Sequence, residues 1–479
     1  MKKLYTIKDC ESFTIQDVWQ LYRQHVNPSQ VELIGAFPFG RELVEKAEGC
    51  YIYLRNGKKI LDLTGGIGVL NHGHNHPKIL KARNKFSLGT KMEVHKNYFS
   101  PYIAALSSNI SSLIPSLQFS YFANSGAEAI EGALKLAYKY HEGKRAVVLH
   151  SSISFHGKTL GAASLTGSPE VYFKFPTISG VDKFEYNNLD SLVSQINKYK
   201  SSNNESSIYA IVVEPLNAST MQQCSDDFLI NLRDLCTKNN IILIFDEVYT
   251  GWGKTGYLFN YMRVAGLNPD ILCYAKSFGG GKSSISGFSY TNELSVSYNN
   301  PRDATLHSTT YYGFGEETIT AIEAVNIIVD DNLVENASTI GKKVEKEFKE
   351  IASNSKFFKL ATGSGALWGF IPDPKYIGSI VGLIQKSGIL KNSLLKDTRF
   401  SEKLISGAIV NHLYSEHNIL TYFGVNIGNP LIISFPLISS KSEIELALTA
   451  LRETFSKSMP SLIFDFISSK FQGPSKIND

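Results

Sequence analysis

The apolar positions in the middle of the chain fall into short, nearly continuous runs separated by longer amphipathic segments. The runs are SLQFSYFANSG, RAVVLHSSIS, IYAIVVEP, IILIFDEV and DILCYAKS. Because several of them leave no polar face for solvent, they predict buried and mostly parallel strands. The segments between them have helical periodicity: GAEAIEGALKLAYKYHE, NLDSLVSQINKYK and DDFLINLRDLCTKNN. This alternation predicts an α/β fold with helices on both faces of a mostly parallel central sheet, and a ligand beyond the carboxyl ends of the strands.

Both ends of the chain have a different pattern. The N-terminal part contains a helix-like segment, IQDVWQLYRQHV, and two short strand-like runs around the turn RNGK. After about residue 330, a long amphipathic helix is followed by the strand-like runs ALWGFIP and NPLIISFPLI and by a last helix with a serine N-cap signal. We therefore expect a large domain over residues 96–330 and a smaller α+β domain built from residues 1–95 and 331–479.

Composition narrows the class of protein. The 479 residues are 43% hydrophobic and 19% charged, which is typical of a globular protein, and the net charge of +4 comes without a basic stripe for nucleic acid. No stretch approaches the roughly 20 apolar residues of a membrane span, and the basic N-terminus lacks the apolar region of a signal peptide. The five cysteines are scattered and show no metal-ligand spacing. We expect a soluble cytoplasmic protein without a metal site.

The segment YAKSFGGGKSS contains two lysines, and each suggests a different chemistry. Its second half is similar to the end of a phosphate-binding loop, G-x-x-x-x-G-K-[ST], but the first glycine of that pattern would stand where the chain has Lys276. The pattern therefore fails, which disfavours a nucleotide-binding protein. We expect Lys282 to be a solvated loop lysine.

Lys276 follows Asp246 by 30 residues, and both residues end predicted strands. A lysine in such a place can act as an amine nucleophile that forms a Schiff base. A buried carboxylate nearby can keep the ring nitrogen of pyridoxal phosphate protonated, which makes the ring an electron sink. Asp246 or its neighbour Glu247 alone would more often be an ordinary loop-facing group. The pairing with Lys276 favours catalysis.

Two further segments fit the same cofactor. In YFANSGAEAIEGALKLA, residues Ser125, Gly126 and Ala127 open a helix whose free N–H groups and dipole form an anion site, with a plain serine N-cap as the alternative. In SFHGKTLGAASLTG, Phe155 offers a flat face for an aromatic ring, whereas His156 alone would more often be structural.

Taken in order, these motifs resemble the class III aminotransferases, the ornithine and acetylornithine type of pyridoxal-phosphate enzyme with fold type I. The motifs are LDLTGGIGVLNHGHNHPKI, NSGAEAIEGALKLA, FHGKTLGAASLTG, VVEP, IFDEVYTGWGKTG and PDILCYAKSFGGG. The resemblance covers residues 40–345 well and the C-terminal part loosely. It implies pyridoxal 5′-phosphate as the cofactor, with Lys276 as the Schiff-base lysine and proton shuttle and Asp246 as the partner of the ring nitrogen.

The resemblance also implies the remaining cofactor contacts. The residues implied are Ser125, Gly126 and Ala127 at the phosphate, Phe155 and Val248 on the two ring faces, and His156, Glu214 and Tyr249 around the ring. Tyr249 stands where many relatives carry glutamine. In LHSTTYYGFG, Thr310 matches the threonine that reaches the phosphate of the neighbouring subunit, which implies a homodimer with shared active sites.

The chain departs from the family pattern where an amino-acid carboxylate is usually bound. Ser219 stands in place of a glutamate, and the segment IISFPLI lacks the arginine that would pair with that glutamate. The absence of both the glutamate and the arginine is physically consistent, because the absence of one alone would leave a buried charge unpaired. Lys158 replaces a further arginine and keeps its charge without the planar fork. Arg399, in the expanded segment 371–425, is the alternative source of an arginine.

The sequence therefore predicts a pyridoxal-phosphate-dependent aminotransferase that moves an amino group from an amine or amino acid to a carbonyl acceptor, with atypical carboxylate recognition. Three alternatives use the same fold and cofactor: an aminomutase, a racemase or a decarboxylase. A lapsed, non-catalytic member that acts as a binding scaffold is disfavoured because Lys276 and Asp246 are both present.

Overall fold

The computed structural model describes residues 4–93, 97–167, 176–305, 307–355, 357–373, 398–424 and 429–470, of which 398–402 and 470 by their main chain alone. The strands are Val44–Glu48, Tyr51–Leu54, Lys59–Asp62, Phe119–Ala123, Val147–Ser151, Val181–Phe184, Ile208–Val213, Leu216–Asn217, Gln222–Gln223, Ile242–Asp246, Ile271–Tyr274, Ser286–Tyr290, Phe358–Ser364, Leu367–Pro372, Ile419–Leu420, Tyr422–Phe423 and Leu431–Ser434.

Helices account for most of the remaining described chain. The α-helices are Ile7–Glu11, Ile15–His25, Pro28–Gly35, Gly65–Gly68, Pro77–Leu88, Pro101–Leu113, Gly126–Tyr140, Leu160–Ser164, Leu189–Lys198, Asp226–Lys238, Asn292–Ser295, Gly315–Asp330, Leu333–Asn354, Thr398–His417, Lys441–Ser456 and Met459–Lys470. Short 3₁₀ turns span Pro38–Arg41, Asn260–Arg263, Lys276–Gly279 and Val296–Tyr298. No helix in the described ranges is long and apolar enough to cross a membrane.

A seven-stranded sheet forms the centre of the molecule. Across the sheet, the strands stand in the order 119, 286, 271, 242, 208, 147, 181, where each number is the first residue of a strand. The four neighbouring pairs from 271 to 181 are parallel, and the strand Ser286–Tyr290 is antiparallel to both of its neighbours. All five apolar runs form strands of this sheet, so the predicted α/β fold with a mostly parallel sheet is confirmed.

Both faces of this sheet are buried, as continuous apolar runs require. Along one strand, Ile242 and Ile244 pack with the helix Gly126–Tyr140, whereas Leu243 and Phe245 belong to the larger apolar cluster on the other face. The alternation follows from the two-residue period of a strand. Helices therefore cover both faces, and polar chemistry is left to the ends of the strands.

The N- and C-terminal parts of the chain are joined in one small sheet. The C-terminal strand Ile419–Leu420 pairs in parallel with Lys59–Asp62, which continues into the N-terminal hairpin around RNGK. A second, four-stranded sheet contains the strand Leu431–Ser434. Helix Lys441–Ser456 begins with a capping box at Ser440, as predicted, but Met459–Lys470 is a further helix that the sequence did not indicate. The domain limits near residues 95 and 330 stay a prediction.

Candidate active site

Three functional side chains follow neighbouring parallel strands of the large sheet. Asp246 is the last residue of its strand and pairs with Cys273, three residues before Lys276. On the other side, the strand Ile208–Val213 ends directly before Glu214. Because the carboxyl ends of parallel strands meet at one edge of a sheet, the register brings these groups together.

A cavity of about 590 Å³ opens at this edge. Most of the residues predicted to bind cofactor or substrate line it: Ser125, Gly126, Ala127, Phe155, His156, Lys158, Glu214, Asp246, Val248, Tyr249 and Lys276. Thr310 is exposed and does not line the cavity, although its neighbour Thr309 accepts a hydrogen bond from Asn124 Nδ2 at 3.0 Å. Lys282 is exposed, as expected for a loop lysine.

His156 and Asp246 form a buried pair inside the cavity wall. Asp246 Oδ2 lies 2.7 Å from His156 Nδ1, and Asp246 Oδ1 accepts the N–H of Val248 at 2.9 Å. Burial by itself would lower the pKa of His156, but the hydrogen bond and the negative charge of Asp246 outweigh burial and raise that pKa. His156 therefore holds the carboxylate in place, and its Nε2 is buried without a partner among the described residues.

Lys276 occupies a strained position at the start of a 3₁₀ turn. Its φ of 52° lies in the left-handed region, where a residue with a side chain is uncommon. Its Nζ lies 4.9 Å from the centroid of the Tyr249 ring. Burial lowers the pKa of Lys276, while the negative charges of Asp246 and Glu214 oppose this shift. A larger share of the amine is therefore neutral and nucleophilic than in a solvated lysine.

Glu214 supports the loop that carries Phe155. Its Oε2 accepts the N–H of Phe155 at 2.9 Å and the Nδ2 of Asn217 at 2.6 Å. Burial raises the pKa of Glu214 to about 7. Asn217 was not singled out from the sequence, because a lone asparagine after a strand gives no signal of such a role.

Glu247 belongs to the scaffold and not to the cavity. Its carboxylate accepts the N–H groups of Asn260 at 2.6 Å and Tyr261 at 2.8 Å, and the hydroxyl of Thr250 at 2.9 Å. The two adjacent carboxylates therefore have separate environments, and Asp246 is the one at the site.

The helix Gly126–Tyr140 begins at the cavity. Ser125 is its N-cap and accepts the N–H of Glu128 at 3.3 Å. The N–H groups of Gly126 and Ala127, in the first turn, have no acceptor within the helix. A Cβ at residue 126 would lie only 2.8 Å from Val248 Cγ1, so glycine is what allows this turn to approach Val248.

Part of the cavity wall comes from the terminal parts of the chain. Those residues are Ile67, Val69, Tyr422, Phe423, Gly424 and Ile432. Sequence reasoning did not single them out, because the C-terminal resemblance is loose and apolar residues carry no chemical signal. Ser219 lines the same cavity, and the described lining residues include the lysines at 158 and 276 but no arginine. The side chain of Arg399 lies outside the described part of the chain.

A family model described as "Aminotransferase class-III" matches residues 39–406 of the chain. The chain belongs to the class III aminotransferases. It is accordingly a pyridoxal-phosphate-dependent enzyme of amino-group transfer, with small-molecule amino and keto substrates.

Solved structures have the same fold. Ornithine aminotransferase from Toxoplasma gondii is 20% identical, with a TM-score of 0.79 over 95% of this chain and 99% of that one. An acetylornithine aminotransferase from Elizabethkingia anophelis is 21% identical, with a TM-score of 0.72 over 93% and 100%. An (S)-enantioselective omega-transaminase from Thermomicrobium roseum is 20% identical, with a TM-score of 0.78 over 93% and 99%.

The cavity of this aminotransferase fits pyridoxal phosphate. Asp246 would face a ring nitrogen with a buried carboxylate, and the N–H groups of Gly126 and Ala127 would be donors for a phosphate. Phe155 and Val248 supply apolar surfaces, and Lys276 supplies the amine. Charge, donors and amine are therefore present in one cavity.

Proposed function

We propose that Lys276 is the amine that carries the cofactor and moves the proton in amino transfer, and that Asp246 is the carboxylate opposite the ring nitrogen. The observation that supports this most directly is the strand register, which brings the two side chains to one cavity from adjacent parallel strands. When bound, pyridoxal phosphate supplies an aldehyde that condenses with amines and a ring that withdraws electrons from the carbon next to the nitrogen.

The chain's own residues do the remaining work. Lys276 Nζ, whose pKa burial lowers, takes the proton from the donor's carbon and delivers it to the carbon on the other side of the donor's nitrogen. His156 binds Asp246 and fixes the direction of its carboxylate in the cavity. Gly126 and Ala127 bind the phosphate through backbone N–H groups, and Phe155 excludes water from one ring face.

A variant of Lys276 tests this assignment. Lys276→Ala should lose the cofactor's visible absorbance band and its turnover, whereas Lys282→Ala, at an exposed lysine six residues later, should keep both. Turnover in Lys276→Ala at the wild-type rate would refute the assignment. An unchanged circular dichroism spectrum serves as the control for folding.

A homodimer with shared sites is part of the proposal. Thr310 is exposed and outside the cavity of its own chain, which suits a role in the neighbouring site. Mixing inactive Lys276→Ala chains with impaired Thr310→Ala chains should restore activity, because a hybrid dimer contains one site with both native residues. Mixtures that stay as inactive as their components would exclude a shared site. The five cysteines are unpaired, which supports a reducing compartment, and we propose the cytoplasm.

Substrate recognition without the usual arginine is a further part of the proposal. The cavity positions 219 and 432 are serine and isoleucine, and Lys158 is exposed at the cavity. We expect amines without a carboxylate, or specialised amino compounds, to react faster than glutamate. Half-reactions against a panel of donors, with and without a carboxylate, measure this preference. Efficient turnover of glutamate and 2-oxoglutarate would contradict it.

A further inference from the structure

Tyr249 meets both Lys276 and a glycine turn of the N-terminal part. Lys276 Nζ lies 4.9 Å from the centroid of the Tyr249 ring. A Cβ at residue 68 would touch both side chains, at 3.1 Å from Tyr249 Cε2 and 3.2 Å from Lys276 Cδ. Gly68, with φ of 89°, therefore leaves no free space beside the ring and the lysine stem.

A residue in the C-terminal part of the chain binds the hydroxyl of Tyr249. It is hydrogen-bonded to the hydroxyl of Tyr422, in a strand that pairs with Leu431–Ser434. Burial raises the pKa of Tyr249 to about 12, so both phenols stay neutral in the working range of the enzyme. Two separate segments, the turn at Gly68 and the strand with Tyr422, therefore hold the hydroxyl end of the ring.

We propose that Tyr249, tethered by Tyr422, is a positioning residue for Lys276, which rests on the assignment of Lys276 as the reacting amine. A lysine ammonium sits on four rotatable carbons and has no planar group to fix its direction. The ring face gives the ammonium a favourable place, with a stabilisation that is modest and local. Because the tether starts in the C-terminal sheet, the position of the amine depends on the packing of that sheet.

Substitutions of Tyr249 and Tyr422 leave the other charged groups around the amine of Lys276 unchanged. Asp246 and Glu214 face Lys276 from adjacent strands, and His156 binds Asp246. Asp62, in the N-terminal part, contributes to the raised pKa of Tyr249 through its negative charge. A change measured at Lys276 after substitution of Tyr249 therefore reports on the ring and its tether.

The first experiment measures the amine itself, in cofactor-free protein. Modification of Lys276 by trinitrobenzenesulfonate is followed across pH by peptide mass mapping. Tyr249→Leu removes a contact that favours the charged amine, so the pKa of Lys276 should fall and modification at pH 7 should rise roughly two- to fivefold. Tyr257→Leu, the same change at an exposed tyrosine of the same loop, should leave the profile unchanged. Superimposable profiles for Tyr249→Leu and wild type would overturn the proposal.

A double-mutant cycle tests the tether with variants that keep both rings. Tyr249→Phe and Tyr422→Phe each delete one hydroxyl of the same hydrogen bond, so the double variant should resemble either single variant. The measured quantity is the pH midpoint of the visible absorbance band in cofactor-loaded protein, with kcat falling while KM stays unchanged. Additive effects, or no effect, would overturn the tether. Failure of Lys276→Ala to abolish the band would instead refute the proposed function, so the two failures are distinguishable.

Discussion

Asp246 and Glu247 are consecutive carboxylates that serve different parts of the molecule. Asp246 binds His156 at 2.7 Å within the cavity, whereas Glu247 binds the N–H groups of Asn260 and Tyr261 in the scaffold. The alternation of side chains at the end of a strand separates them, because neighbouring residues point to opposite faces. We therefore expect Asp246 to affect turnover and Glu247 to affect stability.

Replacing Asp246 should change the rate of turnover, whereas replacing Glu247 should change the free energy of unfolding. Asp246→Asn should lower kcat by on the order of 10²–10⁴ with little change in the unfolding midpoint, because the charge at the ring nitrogen is lost. Glu247→Gln is the matched control, and it should lower the free energy of unfolding by about 1–3 kcal/mol because one of the two backbone donors would face an amide NH₂ group instead of an oxygen. Kinetics and urea unfolding of both variants measure this difference. Equal effects on both quantities would contradict the separation of roles.

Lys254 should make the protein more stable as pH rises above neutral. Its side chain is fully buried, Nζ donates to the carbonyl of Phe435 at 3.0 Å, and burial lowers its pKa to about 7. Between pH 7 and the unfolded value near 10.5, the unfolded state binds more protons, so this group makes stability rise with pH by up to about 1.4 kcal/mol per unit.

Lys254→Met should abolish that contribution, since methionine has similar bulk and no charge. Urea unfolding at several pH values between 7 and 10 measures the slope. Lys282→Met, at an exposed lysine, is the control and should keep the wild-type slope. The prediction fails if Lys254→Met and wild type have the same slope.

Ile67 is a strained residue in the wall of the cavity. Its φ of 61° and ψ of 45° are left-handed, which is costly for a β-branched side chain, and the residue is 56% exposed. Ile67→Gly should therefore raise the free energy of unfolding by about 1 kcal/mol. Ile67→Val keeps the branched Cβ and should not change it. A thermal midpoint of Ile67→Gly below that of Ile67→Val would show that packing outweighs the strain.

The sequence predicted the large sheet because continuous apolar runs leave few alternatives to buried strands. It also singled out Lys276 and Asp246, since both end predicted strands, and the two residues do line one cavity, whereas their catalytic roles stay a prediction. The role of Glu247 was open, because the direction of a side chain depends on where the strand ends. The contact of Tyr249 with Tyr422 could not be predicted, since it joins positions 173 residues apart through two aromatic hydroxyls that have no distinctive sequence pattern.

The parallel pairing of Leu61 with Ile419 also has a consequence for synthesis of the chain on the ribosome. About 360 residues separate the two strands, so at typical elongation rates the N-terminal strand waits roughly 20–70 s for its partner. During that time its edge can pair with other nascent chains. The pairing therefore forms only after residue 419 has been made, and yield in the cell should depend on how well this hairpin is protected until then.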